Sequence, residues 1–275
     1  MNKRQFLKGM VATAAGILVP GHVLSGQYQF HQRVQGLRQK DTPLIPDTGH
    51  GPQELAFGNE QLGYFGRVLA SEFITPSALR NATGVTQGSV INDDSGWLKY
   101  AYNGKICFVA QKNILSSVSW QHIYQRGCVY GTSGSGVNPS GDPVLQDRTV
   151  VIDGYTYRVR LMKGLNQDPS NKSDSSWDLP QTHGSEWNKI MYRLHDGIHT
   201  DNRNSTASEG DFERWDNLSD TDLNVQGIAY SWCQETPINT NRRVLRGWMG
   251  VSRSGRGLTD DRLSRHCWRP VLEKI

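Results

Sequence analysis

"GWLKYAYNGKICFVAQKNI" (residues 96–114) decides how this chain folds. Leu98, Tyr100 and Tyr102 share one face of an extended run, and Asn103-Gly104 then interrupts it. On the return, Ile106, Phe108 and Ala110 alternate, while Cys107 and Val109 point the other way. A side-chain period of two is the mark of a strand. Asn-Gly supplies the two residues with positive φ that a tight hairpin turn needs. The stretch therefore predicts a β-hairpin.

Outward from it, the same grammar repeats. "TVVIDGYTYRVRLMKG" (149–164) predicts a second hairpin turning at Asp153-Gly154. Upstream, Thr75 or Ser77 can cap a short helix, Pro76 suits its first turn, and Gly84 stops it. Ser119 leads a helix with Trp120, Ile123 and Tyr124 on one stripe, ended by Gly127. Ser185 caps another, in which Trp187, Ile190, Met191 and Leu194 face inward. "GIAYSWCQET" and "RRVLRGWMGV" read as central buried strands, and "CWRPVLE" as the closing strand. Strands, two short helices and long loops predict an α+β domain over 61–275, with 61–96 as lead-in and 97–275 as core.

Residues 1–60 read differently. "MNKRQFLKGMVATAAGILVPG" has a charged start, an apolar run from Met10 to Val19, and Pro20 after it. That is the shape of an export signal over residues 1–26; Lys3-Arg4-Gln5-Phe6-Leu7-Lys8 is similar to a twin-arginine signal with lysine in place of the first arginine. The apolar run is too short to span a bilayer. An uncleaved arm that docks onto a larger assembly is the other reading. Residues 27–60, rich in Gln, Pro, Gly and charge, predict an extended linker.

Composition narrows the chemistry. Eight Trp and 29 Gly at only 36% hydrophobic residues predict a core anchored by large rings, with long irregular connections. The formal net charge of +4 is too mild to imply nucleic-acid binding by itself. Arginines nevertheless gather at the end: Arg242, Arg243, Arg246, Arg253, Arg256, Arg262, Arg265 and Arg269. Those on strand-like segments (Arg243, Arg246, Arg269) are expected to pair with buried carbonyls or carboxylates, the candidates being Glu235, Asp178 and Glu186. No nucleic-acid partner is expected.

Neither a metal nor a cofactor is expected. Cys107, Cys128, Cys233 and Cys267 lack C-x-x-C spacing, and the sequence leaves bridged and free thiols both open. Gly197 breaks any helix that would present His195 and His199, with Asp196 and Asp201, to one ion. Asp211, Asp216, Asp220 and Asp222 lack calcium-loop spacing, and Ser219 capping a turn led by Asp220 accounts for that segment. Glu186 suits a helix dipole better than general acid catalysis. "GTSGSGVNPSGD" (131–142) lacks the lysine that ends a phosphate loop.

The ordered blocks "GWLKYAYNGKICFVAQKNI", "SVSWQHIYQRGCVYG", "DGYTYRVRLMKG", "HGSEWNKIMYRL", "SWCQET", "RVLRG" and "CWRPVLE" resemble a family of tailed-bacteriophage virion proteins described as tail or structural proteins. In fold, "GSEWNKIMY", "YSWCQET" and "RVLRGWMGVS" resemble the formylglycine-generating-enzyme type of C-type-lectin fold. That resemblance implies a structural core of Trp97, Trp120, Trp187, Trp232, Trp268, Arg246 and Gly247, its tryptophans converging into one kernel. It implies that 248–266 is a loop excursion on the ligand-facing side, with Trp248, Ser252, Arg253, Arg256, Asp260, Arg262, Arg265 and His266 as candidate ligand-binding residues. The enzymes of that fold hold copper with a paired-cysteine motif. Cys233 and Cys267 do not reproduce it, so no catalytic residue is assigned.

The expectation is a non-enzymatic virion structural protein. Its arm would contact other virion proteins, its domain would bind a host-surface glycan or protein, and copies would assemble into a homo-oligomer. The alternative is a twin-arginine-exported periplasmic or envelope protein of the formylglycine-generating-enzyme class, either an oxidase or carbohydrate-binding.

Overall fold

Thirteen short strands form two sheets in the computed structural model, which describes residues 47–137, 141–168, 184–197, 213–226, 229–237 and 240–275. The 96–114 stretch is the hairpin of strands β4 (Trp97–Tyr102) and β5 (Lys105–Ala110), paired from Trp97 with Ala110 to Tyr102 with Lys105. Asn103 and Gly104 take φ values of 52° and 75°, as the turn demands. The second hairpin joins β7 (Thr149–Ile152) to β8 (Tyr155–Leu161) through Asp153 and Gly154, both at positive φ.

The first sheet adds β1 (Phe57–Asn59), β2 (Leu62–Val68) and β13 (Pro270–Lys274), in the order β1-β2-β4-β5-β13-β8-β7. Every pairing in it is antiparallel. The second contains β3 (Ser89–Val90), β6 (Leu115–Ser116), β9 (Tyr230–Trp232), β10 (Arg242–Arg246), β11 (Ser254–Leu258) and β12 (His266–Trp268). Its order is β11-β10-β9-β12-β6-β3, and β9 runs parallel to β12. Three α-helices complete the described α+β architecture: α1 (Pro76–Thr83), α2 (Trp120–Gln125) and α3 (Glu186–Leu194). Thr75, Ser119 and Ser185 accept from the backbone N–H three residues on, as N-caps do.

"CWRPVLE" is two strands rather than one. Cys267 and Trp268 finish β12 in the second sheet, and Pro270 opens β13 in the first. Proline lacks a ladder donor and suits the first position of a strand. Between the two, Arg269 donates to Ala110 O, Gln111 O, Leu223 O and Ser231 Oγ, tying the crossover point down.

The tryptophans do not form a single kernel. Trp97, Trp120, Trp232 and Trp268 belong to one buried cluster with Phe108 and Leu272. Trp187 and Trp215 belong to a second, with Tyr100, Cys107, Val109 and Val271. Alternate residues of the same strands feed the two clusters, so strand alternation itself divides the core.

Residues 47–59, expected as linker, are packed on the first sheet. The buried Lys99 ammonium donates to Thr48 Oγ1 (2.8 Å), His50 O (2.7 Å) and Pro52 O (2.6 Å), and β1 pairs with β2. The compact unit runs from Leu44 to Ile275. The arm and export-signal readings of residues 1–46 lie outside the described residues. Among the described residues, no helix is long and apolar enough to cross a membrane.

Candidate functional site

The connection from β10 to β11 was expected to open a long loop. Instead, residues 247–253 make a tight turn, and 254–258 form the edge strand of the second sheet. Glycine explains why that strand can lie so close. An added Cβ would stand 2.9 Å from Tyr230 at Gly255, and 2.6 Å from Trp232 at Gly257. The strand closes like a lid over two aromatic rings because it carries no side chain there.

Three positive φ values shape the turn: Gly247 at 88°, Met249 at 54° and Gly250 at 133°. Buried partners hold it at several points. Trp187 Nε1 donates to Val251 O at 2.8 Å, Gly250 N to Val225 O at 2.7 Å, and Gly247 N to Arg253 O at 3.0 Å. Arg246 reaches Gly164 O, Asn188 Oδ1 and Ser252 O, and sits with Arg269 against Trp187, each guanidinium carbon under 6 Å from that ring. A turn fixed this way presents its side chains from a rigid frame.

What it presents is an aromatic ledge. Trp248, half-buried, stacks on Tyr230 with centroids 5.5 Å apart and planes 24° apart. The Arg253 guanidinium lies 5.9 Å from the Trp248 ring. Burial pushes the Tyr230 phenol up, while the guanidinium groups of Arg265 and Arg253 pull it back. Met249, 47% exposed, occupies the apex in a left-handed conformation uncommon for a non-glycine residue. Below the ledge, His266 meets Tyr230 and Trp232 at 6.2 and 4.8 Å.

The structure sorts the candidate residues. Trp248 and Arg253 come together, while Arg265 is exposed just before β12. Arg256 pairs in register with Val244 and projects to the face opposite Gly255 and Gly257, away from the ledge. Ser252 is partly exposed and its carbonyl accepts from Arg246. Asp260 and Arg262 are exposed on the following turn, where Asp260 accepts from the Thr259 hydroxyl. His266 is 2% exposed; burial holds its imidazole below the usual range, and it serves as packing under the ledge rather than display. Tyr230 and Met249 were not among the candidates. A Trp-Met pair between glycines was the available signal for Met249; Tyr230 had none, because only β9–β10 pairing carries it under Trp248.

The remaining candidates are occupied by structural work. Trp97, Trp120, Trp187, Trp232, Trp268 and Arg246 lie fully inside, and Gly247 is buried. Arg243, Arg246 and Arg269 donate to carbonyls and an amide rather than to the expected Glu235 or Glu186; Asp178 lies outside the described residues. Arg243 also lies 3.8 Å over the Trp120 ring. Glu186 pairs instead with Arg160 (2.7 Å) and accepts from Tyr100 OH (2.7 Å); Arg160 and Tyr100 help hold its carboxyl low against its burial. Glu235 accepts from Gly164 N, and burial pushes its carboxyl up to about 8.

All four cysteines are free and buried. His195 Nε2 meets Asp220 at 2.9 Å, and Gly197 N donates to its Nδ1; His199, Asp201 and Asp211 lie outside the described residues. Asp216 accepts from Arg67 and Tyr64, and Asp222 from Ser219, whose hydroxyl in turn caps the short turn. Among the described residues no His, Cys, Asp or Glu group suits a metal ion.

Fold and site together define a two-sheet α+β protein that carries an arginine-flanked aromatic ledge at one sheet edge. Comparison with family models, curated proteins and solved structures gives no match to this chain.

Proposed function

We propose that this chain is a non-enzymatic structural protein of a tailed-phage particle, whose lectin-like domain binds a host-surface ligand through the Trp248 turn. The observation that carries the reading is the rigidly tethered turn with Trp248 half-exposed and Met249 at its apex. Exposed side chains in sparsely populated backbone conformations, fixed by surrounding structure, concentrate at ligand sites. Arginine and tryptophan are the side chains that dominate recognition surfaces. The block order quoted above supports the phage context and the lectin-like fold. Residues 1–46 would tether the domain to neighbouring virion proteins, and several copies would act together.

Trp248→Ala and Arg253→Gln test the reading in particles. Normal assembly with lost adsorption to cells supports recognition. Failed assembly, or adsorption unchanged, overturns it; the first would make the turn a packing contact between subunits.

The Lys3–Lys8 segment favours a second reading, an exported envelope protein of the same fold, enzymatic or carbohydrate-binding. Mass spectrometry separates the two. An intact Met1 in purified particles supports the first reading, and a chain starting near Gln27 in the periplasm supports the second.

A further inference from the structure

We infer that the ledge binds an acidic sugar, a pyranose bearing a carboxylate, by stacking its C–H face on Trp248 while Arg253 takes the carboxylate. The inference rests on the recognition reading and adds the ligand's chemistry to it.

Charge is the first reason. Residues 247–258 contain no acidic residue, and of their two arginines Arg253 stands at the ledge while Arg256 faces away. The nearest acids downstream are engaged: Asp260 accepts from the Thr259 hydroxyl and Asp261 from Leu258 N. The Arg253 guanidinium stands 5.9 Å from the Trp248 ring, which itself stacks on Tyr230. Guanidinium forks match carboxylates in a bidentate geometry that lysine lacks.

Shape is the second. A sugar ring laid on the indole sits at carbon–carbon contact, ~4 Å above it. An exocyclic carboxylate on that ring then extends toward the side where Arg253 stands, 5.9 Å from the indole centroid. Tyr230 stacks on Trp248, so the indole is a fixed shelf. A nucleic acid would need positive charge spread along a track, and here one guanidinium stands beside one aromatic pair. Met249, next to Trp248 in the turn and 47% exposed, adds apolar surface suited to C–H faces.

Binding to the full chain is measured with three probes: an oligogalacturonate, the same oligosaccharide fully methyl-esterified, and inorganic polyphosphate. The expected result is saturable binding of the oligogalacturonate with a change in tryptophan fluorescence. Methyl esterification and Arg253→Gln each weaken it about tenfold, the loss of one charge-assisted contact. Trp248→Ala abolishes it, and Trp248→Phe retains part. Arg253→Gln alters a partly exposed side chain, so it keeps the test valid should Trp248→Ala fail to fold. Equal binding of the methyl ester, or binding of polyphosphate alone with indifference to Trp248→Ala, overturns the proposal. So does the absence of any oligosaccharide binding. If Trp248→Ala particles still lose adsorption while no oligosaccharide binds, the recognition reading stands and only the ligand chemistry falls. If oligosaccharide binding needs Trp248 but adsorption does not, the host-binding reading falls instead.

Discussion

Glu235 shows how much one buried group decides. Its carboxyl sits inside the protein with the Gly164 N–H as its described hydrogen-bond donor, and burial raises it from an ordinary carboxylate value to about 8. Between pH 4.5 and 8 the unfolded chain has released this proton and the folded one retains it. Its stabilising contribution is therefore complete below about pH 4.5 and is lost as pH rises toward 8. Glu235→Gln should remove that slope and raise stability at pH 7 by on the order of 1–3 kcal/mol. Denaturant unfolding of both proteins from pH 5 to 8 checks this, and parallel curves would refute it. Met249 poses the opposite case, a side chain kept where glycine is easier. Met249→Gly should stabilise the fold by up to ~1 kcal/mol by relieving the left-handed strain, yet weaken ligand binding; a thermal melt and a binding titration separate the two effects.

At the scale of elements, tight turns set the register and tryptophan N–H groups lock the connections. Trp97 donates to Ile74 O, Trp120 to Cys233 O, Trp187 to Val251 O and Trp232 to Val118 O. Each of these four indoles thus ties a connecting segment to a strand or helix, satisfying its own donor as it does so. The hairpin turn is more local. Gly104 at φ 75° tolerates no Cβ cheaply, so Gly104→Ala should cost roughly 1–2 kcal/mol, read as a lower denaturation midpoint with an unchanged slope. Both hairpins and all three helix caps were legible beforehand, because a turn or a cap is a contract between residues a few positions apart. The edge strand β11 was not. "SGRGL" has no alternating apolar pattern, and its glycines matter only because Tyr230 and Trp232 lie beneath them.

At the scale of the whole molecule, the segment before β2 is held to the fold by a buried ammonium, by His50 on Tyr157 and by the pairing of β1 with β2. Lys99 is buried between the sheet and residues 48–52, faces the rings of Phe65 and Phe108 at 5.0 and 5.5 Å, and is pushed down to about 8 by burial. A chain that starts at residue 47 is the reference for this strap. Removing 1–60 strips Lys99 of three short acceptors and deletes β1, and should cost on the order of 3–5 kcal/mol, the usual penalty for breaking up a buried charge's partners. Calorimetry of the two truncations decides this, and equal melting temperatures would mean that the strap carries no load.

By itself the sequence determined the hairpins, the helix caps, the strand-rich α+β class and the arginine-rich tail, because those follow from short-range periodicity, turn stereochemistry and composition. Only the tertiary structure decided that "CWRPVLE" divides between two sheets, that the tryptophans split into two clusters, that Arg160 rather than a tail arginine claims Glu186, and that Tyr230 rather than Arg256 joins Trp248. The reason is physical. Which side chains meet across a sheet depends on strand order and on a register that alternates faces every residue, and both are set by pairings between segments far apart in the chain.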